Sequence, residues 1–198
     1  MRTPIDVDIS GRAAVIVFTR AEIRNPLSKD IIGRLHTVLD ELAAAEIERV
    51  IFTGSGETFA SGADLREIAG IEPEKAAEFA LLGQSLMAKI AALPLLTIAA
   101  VNGHCFGGAL DLALSCDIRI ASRNARFAHP GANLGIITGW GGTQRLPRLI
   151  GQANALEIFF TAAPVDAEHA FAIGLINEIA DNLIERAFAV PQNPKRAL

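Results

Sequence analysis

The stretch Val101-Asn102-Gly103-His104-Cys105-Phe106-Gly107-Gly108-Ala109-Leu110-Asp111-Leu112 constrains the fold more than any other in the chain. The apolar run Leu95–Val101 that leads into it reads as a fully buried strand. The chain breaks at Asn102-Gly103 and again at Gly107-Gly108. A helical pattern then opens, with Leu110, Leu112, Ala113 and Leu114 apolar around Asp111. Strand, glycine turn and helix start in succession present backbone N–H groups at the positive end of a helix. Such an end stabilises negative charge, and Asp111, one turn further on, is expected to point into the same space.

The rest of the chain repeats this device. Ile5–Ile9 alternates with period two, Ser10-Gly11 turns, and Ala13–Phe18 follows, so the chain opens as a hairpin. Pro26 disfavours helix at Asn25 and makes residues 21–26 a loop. Ser28 caps a helix running to about Ala45, with Ile31, Leu35, Val38, Leu39 and Leu42 on one face. Arg49–Thr53 is a short buried strand, and Phe59-Ala60 leads into a second glycine turn, Ser61-Gly62-Ala63-Asp64-Leu65. A helix is expected over about Pro73–Ala91, with Ala77, Leu81, Met87 and Ile90 apolar and Pro94 beyond its end.

After the central device come a strand at Asp117–Ala121, an extended piece at Ala125–Pro130 and a glycine-rich loop from Gly131 to Gly142. Helices follow at about Gly142–Ile150, Gln152–Thr161 and Asp166–Ile173, then a last strand at Leu175–Ile179. One weak helix comes after Asp181, and Pro191, Pro194 and the basic end read as frayed. Short strands alternating with helices imply an α/β or α+β core. The two glycine turns read as two turns of one coil that bring two N–H groups together.

Composition excludes several partners. A net charge of −4 gives no electrostatic reason for nucleic acid or an anionic membrane as partner. Ten Phe, one Trp and no Tyr argue against aromatic stacking on single strands. No basic-then-apolar opening occurs and no apolar run reaches about 18 residues, so neither export nor a membrane span is expected. Cys105 and Cys116 make neither a disulfide framework nor a metal-ligand spacing, which fits a reduced cytoplasmic setting.

From about Ile5 to Ala180 the chain resembles the crotonase superfamily, the enoyl-CoA hydratase/isomerase family. The resemblance rests on Phe59–Leu65, Ala100-Val101-Asn102-Gly103, Gly107-Gly108, Ser115-Cys116-Asp117-Ile118-Arg119, Gly141-Gly142-Thr143-Gln144-Arg145-Leu146 and Ala172-Ile173-Gly174-Leu175-Ile176, six segments in the family's order. It implies the ββα spiral of the ClpP/crotonase fold over residues 1–180, with 181–198 a truncated C-terminal helical tail. It also implies a CoA thioester as substrate with no tightly bound cofactor and no metal, and a homotrimer or a hexamer built as a dimer of trimers.

By the same resemblance, the backbone N–H groups of Ala63 and Gly108 form an oxyanion hole. The backbone from Ala60 through Ser61, Ala63, Asp64 and Leu65 surrounds the adenine, Arg24 and Arg66 fall near the CoA phosphates or pantetheine, and Gly107, Gly131, Gly139 and Trp140 fall in the substrate pocket. Proton removal beside a thioester carbonyl, or addition to its conjugated double bond, makes an enolate whose charge sits on oxygen. Two preorganised donors stabilise that oxygen, and losing one typically costs about 2.7–4 kcal/mol in the transition state.

The chain departs from the hydratase pattern at both acids. The family's first glutamate position is Asp111, one methylene shorter, as in the dienoyl-CoA isomerase branch. The second is Gly131, which carries no acid, and that branch has further acids where this chain has Gly131 and Gly139. His129, two residues before the missing acid, is the nearest titratable replacement, and His104 is a second. Three readings follow: a hydratase or isomerase relative acting through Asp111 and His129, or a hydrolase or decarboxylase using the hole with one polar group; a CoA-thioester-binding homologue without the chemistry; and a structural oligomer.

Overall fold

The computed structural model describes residues 3–191. The opening hairpin pairs β1 (Ile5–Ser10) with β2 (Ala13–Phe18), antiparallel from Ile5 opposite Phe18 to Ser10 opposite Ala13. A short 3₁₀ turn and β3 (Pro26–Leu27) lead into α1 (Lys29–Ala44), where Ser28 Oγ accepts from Ile31 N at 3.3 Å and caps the helix as its sequence requires. The apolar stripe Ile31, Leu35, Val38, Leu39 and Leu42 is buried.

The remaining elements follow in chain order. They are β4 (Arg49–Gly54), β5 (Thr58–Ala60), β6 (Gly62–Ala63), α2 (Leu65–Ala69), α3 (Ala76–Ala92), β7 (Leu96–Val101), β8 (His104–Phe106), α4 (Gly108–Ser115), β9 (Ile118–Ala121) and β10 (Arg126–Ala128). Beyond them lie α5 (Gly142–Ile150), α6 (Gln152–Thr161), β11 (Val165–Asp166), α7 (Ala167–Ala172), β12 (Glu178–Ile179) and α8 (Leu183–Ala189).

Two sheets organise these pieces. The first runs β1-β2-β4-β7-β9-β12 and is parallel from β2 onward; the second runs β11-β10-β8-β5, parallel except at β11. The three steps β4–β5, β7–β8 and β9–β10 each place one strand in each sheet, in matching order. This is a coil of ββα turns. Its repeat stacks the glycine turn after β5 on the one after β8, and β6 lies against the start of α4. Of the second sheet only β10 shows in the sequence, within the extended piece at Ala125–Pro130, because strands of two or three residues are too short to show a period.

The core between sheets and helices carries Phe18, Phe52, Phe59 and Phe127, each at most 1% exposed, with Phe18 and Phe59 edge to face at 5.6 Å. Arg119 is also buried, as a cation. Its buried guanidinium donates to the carbonyls of Cys116 and Leu175, both at 2.8 Å, and so ties the end of α4 to the turn before β12.

Three expectations change. The helix expected from Pro73 starts as α3 at Ala76, after a 3₁₀ turn at Pro73–Lys75. Ala77 is exposed and Leu81 is 63% exposed; the inward face is Gly83, Leu86, Met87 and Ile90. Leu81 stands six residues before Met87, which at 3.6 residues per turn swings it about 120° off that face. The last strand is Glu178–Ile179 only, because Leu175 and Ile176 are buried in the turn before it. The glycine-rich loop opens with a 3₁₀ turn at Pro130–Leu134. The helix expected after Asp181 is α8, packed on β7 and β9. Pro194 and the basic end lie outside the described residues.

Candidate active site

Gly62, at φ 87°, adopts backbone that side chains rarely tolerate, and this carries β6 close along the N-terminus of α4. A Cβ on Gly62 would lie 2.7 Å from Gly108 N, and one on Gly108 would lie 3.4 Å from Ala63 N. Ala63 and Gly108 therefore sit side by side, one at the end of a strand and the other at the positive end of a helix. Both line a cavity of about 350 Å³, which Gly107, Ser61 and Leu65 also border. The far walls are apolar: Ile68, Ile71 and Phe79 on one side, Leu134, Ile136 and Ile137 on the other, with Trp140 at the edge of Gly108.

His129 and Thr138 are on the cavity wall, and Asp111 is fully buried behind them. Thr138 Oγ1 donates to Asp111 Oδ2. Asp111 Oδ1 faces His129 Nε2 at 3.5 Å, and among the described residues neither atom has a hydrogen-bond partner. Burial pushes the Asp111 carboxyl up to about 7, partly offset by the Thr138 hydroxyl, the Arg145 charge and the Trp140 backbone N–H. Burial moves His129 the other way, down to about 4. At neutral pH the histidine is uncharged and the acid is poised between its two forms. A carboxyl so placed can give or take a proton with little driving force wasted. Phe159 lies against the His129 ring, with centroids 5.0 Å apart and planes tilted by 37°.

Gly142, the first residue of α5, makes room for this pair. A Cβ there would overlap Asp111 Oδ1 and sit 3.1 Å from His129 Cε1. Gly131 tells the opposite story. The tight turn that bonds Ile136 N to Gly131 O at 3.0 Å brings the Ile136 carbonyl onto the spot a Cβ would need. The loop has closed over the place of a second acid.

The other expected residues divide. Ser61, Leu65, Gly107, Gly131, Gly139 and Trp140 border the cavity with Ala63, Gly108 and His129. Ala60 is buried within β5. Asp64 caps α2 through Arg66 N at 3.0 Å and holds the Arg66 guanidinium at 2.6 Å, which keeps its carboxyl below the usual range. Arg24 is exposed in left-handed backbone outside the cavity. His104 is exposed on β8 with its ring against Phe106, and does not border the cavity. Thr138, Phe159 and Gly142 were not legible as site residues, since each meets Asp111 or His129 only across the fold. Among the described residues no three His, Cys, Asp or Glu side chains gather as a metal site, and no helix is long and apolar enough to cross a membrane.

A coil of ββα turns with two stacked glycine turns is the crotonase fold. A family model for enoyl-CoA hydratase/isomerase matches residues 8–192, and the chain belongs to that family. It is 40% identical over 173 residues to a short-chain-enoyl-CoA hydratase of Clostridium acetobutylicum, covering 86% of this chain and 66% of that one. It is 41% identical over 173 residues to a crotonyl-CoA hydratase of Syntrophomonas wolfei, covering 85% and 65%. The crystal structure of an enoyl-CoA hydratase from Bacillus anthracis superposes with a TM-score of 0.89 at 36% identity, covering 94% of this chain and 74% of that one. The chain thus spans about two thirds of the length of these curated relatives.

Proposed function

We propose that this chain processes acyl-CoA thioesters in the manner of an enoyl-CoA hydratase or isomerase, forming an enolate at the thioester. The observation that carries the reading is the convergence of Ala63, Gly108 and His129 on one apolar cavity, with Asp111 buried directly behind His129. The thioester oxygen accepts from the N–H groups of Ala63 and Gly108. A base at the Asp111–His129 pair takes a proton from carbon, the C–H electrons pass into the C–C bond, and the carbonyl electrons move onto the oxygen that the two donors hold. Return of that proton to a different carbon shifts the double bond. Gain of water across a conjugated double bond forms a different enolate at the same oxygen. Water oxygen bonds to the β carbon as the pair takes the water's proton, the double-bond electrons move through the carbonyl onto the held oxygen, and a proton then returns to the α carbon.

His129 meets the substrate at the wall, and Asp111 stands behind it with Oδ1 at 3.5 Å from the ring nitrogen. In this reading the backbone of the strip Ala60, Ser61, Asp64 and Leu65 receives the adenine of CoA, Ser61 and Leu65 being the two of the four that border the cavity, and the exposed Arg24 and Arg66 serve its phosphates. CoA enters as part of the substrate, in a cytoplasmic setting. A homotrimer or dimer of trimers accompanies this reading, supported by apolar surface at Phe160, 78% exposed, and Phe171, 54% exposed; light scattering on the eluting protein gives the mass directly.

The closed turn at Gly131 favours a second reading, a CoA-thioester-binding homologue with altered activity. Hydrolysis, decarboxylation or binding alone would need the hole but not a second acid. Turnover of crotonyl-CoA and of a 3-enoyl-CoA, assayed beside acyl-CoA binding, separates the two. Turnover of either substrate supports the first reading. Tight binding with no turnover across a broad acyl-CoA panel leaves only the second, and no affinity for any CoA thioester removes both.

A further inference from the structure

The indole of Trp140 fills a slot made by two glycines. A Cβ on Gly83, in the middle of α3, would overlap Cδ1 and Nε1 on one edge of the ring, and a Cβ on Gly108 would overlap Cε3 and Cζ3 on the other. Phe79, one helical turn before Gly83, lies 5.7 Å from the indole with the rings tilted by 47°. Gln84 Nε2 donates to Gly139 O at 2.8 Å and fastens the loop to α3 beside the slot. The ring is only 3% exposed, yet it borders the cavity. It is a rigid wall with no free space on either edge.

We propose that Trp140, seated by Gly83, is the specificity-determining wall that limits the length of the acyl chain this site accepts. The inference rests on the reading that an acyl thioester occupies the cavity with its oxygen at Ala63 and Gly108. From Gly108 the acyl group must run along the indole, because the ring is packed against that residue. The rest of its path is apolar, bounded by Ile71, Phe79 and Ile137. A close-packed interior cannot yield by a ring's width, so the position of the indole fixes how far a chain extends. Moving the ring in opposite directions then has opposite consequences. Trp140→Ala opens the wall and favours long chains. Gly83→Ala drives the ring off α3, and with Gly108 blocking the far edge it moves into the cavity and shortens it.

Trp140 is also the only tryptophan in a chain without tyrosine, so its emission reports on this wall alone. The test titrates the full chain with butyryl-, hexanoyl- and decanoyl-CoA and with CoA itself, reading Trp140 emission in the wild type and calorimetric affinity in wild type, Gly83→Ala and Trp140→Ala. The account expects the acyl thioesters to shift Trp140 emission more than CoA does. It expects Gly83→Ala to weaken decanoyl-CoA relative to butyryl-CoA by about tenfold or more, and Trp140→Ala to change the same ratio by a similar factor in the other direction. If Trp140→Ala does not fold, Gly83→Ala and the wild-type emission decide the matter. An unchanged ratio of decanoyl-CoA to butyryl-CoA affinity in Gly83→Ala, or emission that CoA alone moves as far as the thioesters do, overturns the role of Trp140 and leaves the site reading standing. Absence of binding by every acyl-CoA to the wild type overturns both.

Discussion

Asp111 sits among Leu110, Leu112 and Leu114 on a helix whose positive end would ordinarily favour its charge. Burial wins over the dipole, and the carboxyl is protonated until about pH 7. A turnover step that uses it as base therefore falls away as pH drops below about 7, and the kcat/KM profile of the wild type should show that limb. Asp111→Asn should lower kcat by about 10²–10⁴-fold, the usual span for a positioned acid–base group, and abolish the limb. Gly142→Ala should have a comparable effect without touching a titratable group, because its methyl displaces the Asp111 carboxyl; a near wild-type rate in that variant would show that the pair's geometry is not used. Asp111 and His129 were both legible as candidates, one as the acid after the glycine turn and one as the nearest titratable group to a missing acid. Their meeting was not, since eighteen residues and a change of sheet separate them.

At the scale of elements, the glycine turns and the helices after them were legible because each is written in local chemistry: Asn-Gly, Gly-Gly, a serine cap, an apolar stripe. The sheet that β5, β8, β10 and β11 form was not, because its strands have no length in which to display a pattern. The loop from Pro130 to Thr138 was legible only as glycine-rich, and its tight turn decides a functional question. Gly131→Glu restores an acid to the sequence, yet the Ile136 carbonyl occupies the Cβ position, so the variant should lose stability by about 1–3 kcal/mol and gain no hydration of crotonyl-CoA. Arg119 makes an equally local prediction. Arg119→Met removes the guanidinium donors to the carbonyls of Cys116 and Leu175, and a loss of about 1–3 kcal/mol in denaturant midpoint analysis is expected.

For the molecule as a whole, the buried pair adds no net slope to stability across mildly acidic pH. Between about pH 4 and 6.5 the unfolded chain holds a charged histidine and a charged aspartate, while the folded chain holds both groups neutral. The raised acid binds an extra proton on folding and the lowered histidine releases one. The two slopes cancel. Asp111→Asn leaves the histidine slope alone, so relative to wild type the variant gains stability as pH rises across that window, by roughly 3 kcal/mol. Equal pH dependence in the two proteins would show that the fold does not hold both groups neutral across that window.

Enolate formation is the step on which the whole reading depends, and it can be watched apart from hydration or isomerisation. Incubation of the protein with butyryl-CoA in deuterated water, followed by mass spectrometry of the recovered thioester, reads removal of the proton next to the carbonyl directly. Deuterium is expected at that carbon in the presence of wild-type protein and little above background with Asp111→Asn. Bound butyryl-CoA that exchanges no faster than in buffer alone would contradict it.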